Sequence, residues 1–247
     1  MKTIVSASLA GATMLGVAAR VSADTPTASV PTYTATYEAE YKGKNLGTSE
    51  FKVTHDNAQN SYEFMSTTTA KGILGKLAAP NPTVERSVFT VVGGKIRPSE
   101  YWYKDGTRKA DGDKHIQFDW DRHVAVVSDK DGRREVSLDD VSLDAGSLHV
   151  ALMQDLILNG KPGQYRIADS EQAKAYGFDD NGEAQIDTGL GKLATHCYIQ
   201  HREGSSRKTY LWVAPQLDYL PARIETRKDD EVQTALTLMS VEGIEKR

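Results

Sequence analysis

The chain has 247 residues, of which 39% are hydrophobic and 26% charged, and it contains a single cysteine. This is the composition of an ordinary globular protein, and it excludes collagen-like, disulfide-scaffold and largely disordered classes. The net charge of −4 argues against binding through nucleic-acid phosphates, so we expect no nucleic-acid partner.

The first 23 residues differ in character from everything that follows. Lys2 supplies a positive charge, residues 4–19 are apolar or small, and Val21 and Ala23 place small residues before Asp24. This pattern is typical of a secretory signal peptide, and it predicts cleavage after Ala23 and a periplasmic mature chain. The alternative, a transmembrane anchor, needs about 20 strongly apolar residues, whereas Ser, Thr and Gly dilute this stretch. No Cys stands directly after this apolar run, so no lipid-modified Cys is expected.

Residues 24–32 are rich in Pro, Thr and Ser and are predicted to form an N-terminal arm. We predict a single β-rich domain over 33–247, without a transmembrane segment in the mature chain. Apolar and polar residues alternate there with a period of two, which is typical of half-buried strands. The predicted strands lie at 33–41, 51–53, 62–68, 84–92, 96–103, 115–120, 123–128, 165–168, 173–178, 183–188, 192–200, 207–213, 220–227 and 232–241.

One segment, 144–160, has a helical pattern instead. Asp144 is a suitable N-cap and Asn159-Gly160 a suitable stop, and the leucines form one stripe: Leu148, Leu152 and Leu156. A helix this apolar has to be covered, and only a sheet offers enough surface. Short turns make sequential strands antiparallel neighbours. The predicted fold is therefore mainly β, a large curved antiparallel meander sheet (a half barrel) wrapped around one long apolar helix.

Chemical motifs are scarce. Alternation places Cys197 with Leu193 and Ile199 on an apolar strand face, so we interpret it as a buried small residue rather than a nucleophile. A candidate metal set is divided by a probable hairpin turn at 121–122 and lacks zinc spacing: His115, Asp119, Asp121 and His123. No serine-hydrolase elbow or phosphate loop occurs. We predict no catalytic residue, no metal and no cofactor, and hence no enzyme.

Two apolar clusters remain as candidate binding features. Residues 72–79 (GILGKLAA) are compatible with a lid tip or with a buried turn. Aromatic residues of the strands can line a cavity or fill a core. Together with the helix stripe they give the predicted ligand-binding residues: Tyr101, Tyr103, Trp120, Leu148, Leu152, Leu156 and Trp212.

Four short phrases carry a resemblance to a known family. They are Arg97-Pro98 in a strand, FDW at 118–120, WVAP at 212–215 and LPARI at 220–224. In this order, around one apolar helix, they resemble a family of exported proteobacterial proteins of unknown function. That resemblance implies a periplasmic setting and no catalytic residues. More distantly, the architecture is similar to the periplasmic lipoprotein carriers (Lol-like half barrels), which hold acyl chains in a concave sheet.

These observations favour a non-enzymatic periplasmic protein that binds an apolar or amphipathic envelope ligand between sheet and helix. The ligand would be a lipid or a lipoprotein acyl chain, held by burial at roughly 25 cal/mol per Å² of apolar surface. The alternative is a protein or glycan interaction module of the envelope with no ligand cavity. An enzyme that acts on envelope polymers comes third.

Overall fold

A computed structural model describes residues 30–169 and 172–245. The predicted signal peptide, 1–23, and most of the predicted arm lie outside the described residues. Val30, at the end of the arm segment, is buried in the main core. The strands are β1 (Tyr33–Tyr41), β2 (Lys44–Asp56), β3 (Ser61–Ala70), β4 (Thr83–Val92), β5 (Lys95–Lys104), β6 (Lys114–Asp119), β7 (Val124–Asp129), β8 (Gly132–Ser137), β9 (Ser142–Leu143), β10 (Tyr165–Ile167), β11 (Lys174–Thr188), β12 (Gly191–His201), β13 (Arg207–Ala214), β14 (Leu220–Lys228) and β15 (Glu231–Glu242). The helices are α1 (Gly72–Ala78), α2 (Ala145–Asn159) and a 3₁₀ turn (Pro215–Leu217).

All these strands belong to one sheet, in the order β8-β7-β6-β5-β4-β3-β2-β1-β15-β14-β13-β12-β11-β10-β9. Neighbouring strands are antiparallel, apart from β9 and β10, which are parallel. The strand β1 pairs with β15, so the N-terminal and C-terminal strands of the described chain meet in the middle of the sheet. The prediction of a mainly β fold built on one large antiparallel sheet is therefore confirmed.

Three local features differ from what the sequence indicates. The runs 173–178 and 183–188 form one strand, β11, because the chain passes Gly182 through a β-bulge, at φ 77°, instead of a hairpin turn. The strand β8 was missed because its sequence, GRREVS, is charged and lacks a clear apolar alternation. Residues 72–79 are not a buried turn, since 72–78 form the short helix α1, with Ile73 and Leu77 exposed to solvent.

The longer helix, α2, begins and ends where the sequence predicts. The Asp144 carboxylate accepts a hydrogen bond from Ser147 N at 2.7 Å, and the Ser147 hydroxyl accepts one from Asp144 N at 3.1 Å. At the other end Gly160 adopts a left-handed conformation, with φ 67°, which ends the helix. The helix contacts β3, β4, β5 and β10. Within residues 30–169 and 172–245, no helix combines the length and the apolar character that crossing a bilayer requires.

Two apolar clusters hold the sheet together. The main core joins α2 to residues of both halves of the sheet, among them Tyr37, Phe64, Leu211 and Leu238. A second, smaller core lies among β5, β6, β7 and β8, around Ile116. Because α2 belongs to the main core, it fixes the position of the cavity that it lines, which is described first below.

Candidate functional site

A cavity of about 180 Å³ lies beside the C-terminal half of α2, where the helix faces β5, β9 and β10. Its apolar wall comes from three different elements: Ile96 of β5, Leu143 of β9 and Ala151 of α2. Its polar wall is formed by neighbouring residues of α2, Gln154 and Asp155, and by Tyr165 of β10. The cavity therefore has both an apolar and a polar side, which suits an amphipathic group.

The polar wall is built around the phenol of Tyr165. Its oxygen donates a hydrogen bond to Asp155 Oδ2 at 2.6 Å and accepts one from Gly163 N at 2.8 Å. Burial, together with the neighbouring Asp155 carboxylate, raises the pKa of Tyr165 well above its ordinary value. The phenol therefore stays protonated and acts as a fixed donor to Asp155.

Gln154 is the least satisfied polar group of this wall. The residue is 4% exposed, and its Nε2 has no hydrogen-bond partner in the part of the chain that the structure describes. Buried amide donors in native proteins nearly always have an acceptor, because an unpaired one costs about 1–3 kcal/mol. An oxygen of a molecule bound in the cavity is the kind of acceptor that this side chain requires.

The rim of the cavity is charged and open to solvent. Lys95 and Asp140 line it and are exposed, and Arg97 Nη2 lies 3.8 Å from Asp140 Oδ1. A ligand whose polar end remains at this rim would keep its charge hydrated while its apolar part enters.

A second, larger cleft of about 320 Å³ lies at the far end of β1, away from the Tyr33 end that contacts α2. It is lined mainly by apolar side chains of β1, β2, β3 and β15, among them Ala39, Leu46, Ala70 and Leu236. The helix α1 lies next to this cleft, since Lys71 N donates to Leu46 O at 2.6 Å.

None of the seven predicted ligand-binding residues lines either cavity. The helix stripe, Leu148, Leu152 and Leu156, is buried in the main core. Tyr101 is buried in the second core, and Tyr103 and Trp120 are partly buried and pack against it. Trp212 stacks on Tyr210 with ring centroids 5.9 Å apart, while its neighbours in β13 point into the main core. The seven residues therefore lie in three separate places: the helix stripe, the second core and the Trp212–Tyr210 pair. In each place they contact other side chains of the protein.

Sequence reasoning missed Gln154, Asp155 and Tyr165. The signal that could have found the first two was their polarity, because α2 is otherwise nearly apolar. Tyr165 was included in a predicted strand but not in the site. Its place in the cavity wall depends on the hydrogen bond to Asp155 of α2. The periodicity of the sequence does not indicate this contact, because a loop separates the two residues.

Cys197 is 1% exposed, which confirms its predicted burial. Burial raises the pKa of its thiol, and Asn181 Nδ2 lies 3.6 Å from the sulfur. The neighbouring His196 bonds Asp180 instead, at 2.7 Å from Oδ1. The thiol therefore has neither a base nor a free surface that would make it a nucleophile.

Of the candidate metal set, His115 bonds Glu100 at 2.7 Å and stacks on Trp102, whereas His123 lies in the turn after β6. Among the described residues no group of three or more His, Cys, Asp or Glu side chains is placed to hold a metal ion.

Two carboxyl groups lie close to the N-terminus of α2. Glu85 Oε1 accepts a hydrogen bond from the Tyr101 phenol at 2.8 Å, and Asp144 Oδ2 accepts one from Ser87 at 2.8 Å. Burial raises the pKa of Glu85 to about 7 and that of Asp144 to about 6. Within the described residues no basic side chain forms an ion pair with either carboxyl group, and burial makes both groups destabilise the folded state when they are ionised.

Comparison with known proteins gives a family but no activity. The model of a family described as a protein of unknown function, DUF3108, matches residues 32–237. No curated protein matches the sequence.

Solved structures give only distant similarities. A candidate lipoprotein from Parabacteroides distasonis is 10% identical, with a TM-score of 0.34 over 86% of this chain and 95% of that one. A candidate exported protein with a YmcC-like fold from Bacteroides fragilis is 11% identical, with a TM-score of 0.33 over 86% and 96%. MucB, in complex with MucA, is 11% identical, with a TM-score of 0.15 over 86% and 88%. Similarities of this size support no conclusion about function.

Proposed function

The chain belongs to the DUF3108 family, whose function is unknown, and we propose that it is a non-enzymatic envelope protein that binds an amphipathic ligand between α2 and the sheet. The observation that carries this proposal is the unpaired amide of the buried Gln154 at the wall of the cavity. The apolar part of the ligand lies against Ile96, Leu143 and Ala151, and an ester, amide or carboxyl oxygen accepts a hydrogen bond from Gln154 Nε2. An acyl chain with its carbonyl group has this chemistry.

The size of the cavity limits what enters it. Sites for drug-sized ligands have volumes of about 300–1,000 Å³, whereas this cavity has about 180 Å³. We therefore propose that the carbonyl group and a short acyl segment next to it occupy the cavity, and that a polar headgroup of the ligand lies at the charged rim near Lys95.

The proposal includes a sheet that curves around α2 as a half barrel. The helix contacts both β5 and β10, which are ten places apart in the sheet order. In a flat sheet, strands about 4.8 Å apart would place these two about 48 Å from each other. One helix, about 10–12 Å across, cannot touch both, and this supports a strongly curved sheet.

The proposal also includes export. Residues 1–23 have the features of a signal peptide, so the mature protein would begin at Asp24 in the periplasm. That compartment is bounded by membranes whose lipids contain acyl chains, so a protein there meets ligands of this chemistry at its borders.

Native mass spectrometry of protein purified from its own compartment tests the proposal first, through any ligand that copurifies. Titration with palmitate by calorimetry then compares the wild type with Gln154→Leu. We expect the variant to bind about tenfold more weakly, because it lacks the donor. The matched control is Gln117→Leu, an exposed position on β6 outside both cavities.

A second readout separates a ligand donor from a structural group. The substitution Gln154→Leu removes an unsatisfied buried donor. It should therefore raise the stability of the protein without ligand while it weakens the binding of palmitate. If no ligand copurifies and palmitate fails to bind the wild type, the proposal is wrong. Equal affinity of the wild type and Gln154→Leu would remove the role of the amide.

A further inference from the structure

The short helix α1 presents two large apolar side chains to solvent. Ile73 is 87% exposed and Leu77 is 66% exposed, the two largest exposures among the described large hydrophobic residues. The two residues are four positions apart, so they lie on the same face of the helix. A face of this kind is unusual on a protein surface that is otherwise well supplied with charge.

The fold does not need these two side chains to hold α1 in place. The helix is attached at its start, where Lys71 N donates to Leu46 O at 2.6 Å. It approaches the sheet through Gly75, where an added Cβ would lie 3.2 Å from Ala70 Cβ and 3.4 Å from Leu46 O. The contact side of α1 is therefore the glycine side, and the exposed side has no structural function within the described chain.

Basic residues occur in the segments that adjoin this apolar face. Residues 41–46 and 71–79, which the Lys71–Leu46 bond brings together, contain four lysines and no acid, although the chain as a whole has a charge of −4. Tyr41, at the end of β1 in the first of these segments, is 49% exposed, and its ring centroid lies 5.8 Å from Lys42 Nζ. The adjoining β14–β15 turn is acidic at 229–231 and is not part of this basic surface.

We propose that this α1 surface, formed by Tyr41, Lys42, Lys44, Lys71, Ile73, Lys76 and Leu77, docks on an anionic lipid bilayer. Ile73 and Leu77 enter the boundary between headgroups and acyl chains, and the lysines lie at the level of the phosphates. Tyr41 occupies the interfacial position that amphipathic aromatic side chains prefer. The proposal does not depend on the ligand cavity beside α2.

The small size of the surface favours a membrane over a protein partner. A stable protein interface buries about 800 Å² on each side, far more than two side chains of a seven-residue helix provide. Shallow insertion into a bilayer needs only a few apolar side chains when basic residues add to the attraction. The apolar cleft that opens at Leu46 and Ala70 extends the same surface.

Vesicle flotation tests the proposal with protein whose N-terminus has been defined by intact mass. The vesicles contain phosphatidylcholine alone or with 30% phosphatidylglycerol. We expect the wild type to float only with the anionic vesicles and to be released by 0.5 M NaCl. The double variant Ile73→Ser/Leu77→Ser should lose binding about tenfold or more. Leu190→Ser, an exposed leucine at another turn, is the matched control and should bind like the wild type.

The lysines provide an independent test that does not alter apolar packing. Each of Lys71→Gln and Lys76→Gln should weaken binding to anionic vesicles about fivefold. If circular dichroism shows that the serine variant does not fold, these two lysine variants serve as the test instead. Absence of wild-type binding, or a serine variant that folds and binds like the wild type, overturns the proposal. So does self-association of the wild type that Ile73→Ser abolishes without any vesicle binding, because the partner would then be a second copy.

Discussion

Tyr165 donates its phenolic hydrogen to Asp155 Oδ2 at 2.6 Å, and this bond joins β10 to the C-terminal half of α2. The ring of Tyr165 packs edge-on against Phe178 of β11, with centroids 5.4 Å apart. The Tyr165 side chain thus contacts both the helix α2 and the strand β11. The polar wall of the cavity has its shape because of this contact.

Removal of that hydroxyl should loosen the wall. Tyr165→Phe leaves Gly163 N without its acceptor and Asp155 Oδ2 without the phenolic donor, so we expect a loss of about 1–2 kcal/mol in the free energy of unfolding. Urea denaturation measures it. Tyr41→Phe, at a half-exposed position, is the control and should change stability by less than about 0.5 kcal/mol. Equal losses in the two variants would contradict a specific role for the Tyr165–Asp155 bond.

The buried carboxyl of Glu85 should make stability depend on pH. Its folded pKa is raised to about 7, so ionisation costs nothing below its unfolded pKa of about 4.5 and destabilises the protein fully above pH 7. Glu85→Gln keeps an acceptor for Tyr101 and removes the charge. We expect it to be more stable than the wild type by roughly 1–3 kcal/mol at pH 8, with the difference vanishing near pH 4.5.

The effect of His149 on stability has the opposite dependence on pH to that of Glu85. Its burial lowers the pKa to about 4, so falling pH destabilises the protein as this side chain becomes protonated. Because both proteins contain His149, its effect cancels in the difference between wild type and Glu85→Gln. A difference that stays constant between pH 5 and pH 8 would show that Glu85 is not protonated in the folded state.

The thiol of Cys197 should be inert. It is buried at 1% exposure and its pKa is raised, so native labelling by a thiol reagent should be slow and should become fast in urea. Cys197→Ser should reduce stability by about 1–2 kcal/mol, because it replaces a buried sulfur by a hydroxyl. Rapid labelling of the folded protein would contradict burial of the sulfur.

Processing of the N-terminus remains a prediction. The small residues at Val21 and Ala23 after an apolar run favour cleavage before Asp24. Intact mass of protein recovered from the periplasm should correspond to a chain that starts at Asp24. Recovery of the uncleaved chain with the inner membrane would contradict the periplasmic location.

The sequence was informative wherever the signal is local. Strand alternation and the caps Asp144 and Gly160 depend on neighbouring residues, so the strands and α2 could be placed from them. The cavity depends instead on where β5, β9 and β10 meet α2, and those contacts cross long stretches of chain. The apolar stripe of α2 indicated which face is buried, but whether a buried residue fills a core or lines a cavity is decided by packing. For that reason the sequence pattern predicted Leu152 as a ligand-binding residue and did not indicate Gln154, which lies two positions later and lines the cavity.

The pairing of Ala35 with Val241 has a consequence for the order in which the protein can mature. The strand β1 is synthesised long before β15, its partner on one side. Until β15 has emerged, β1 keeps an unpaired edge in the middle of the future sheet, and such edges recruit other chains. A contact between the two ends of a chain also forms slowly. The nascent protein therefore needs protection along this seam until synthesis or translocation is complete, and a C-terminal truncation within β15 would aggregate rather than fold.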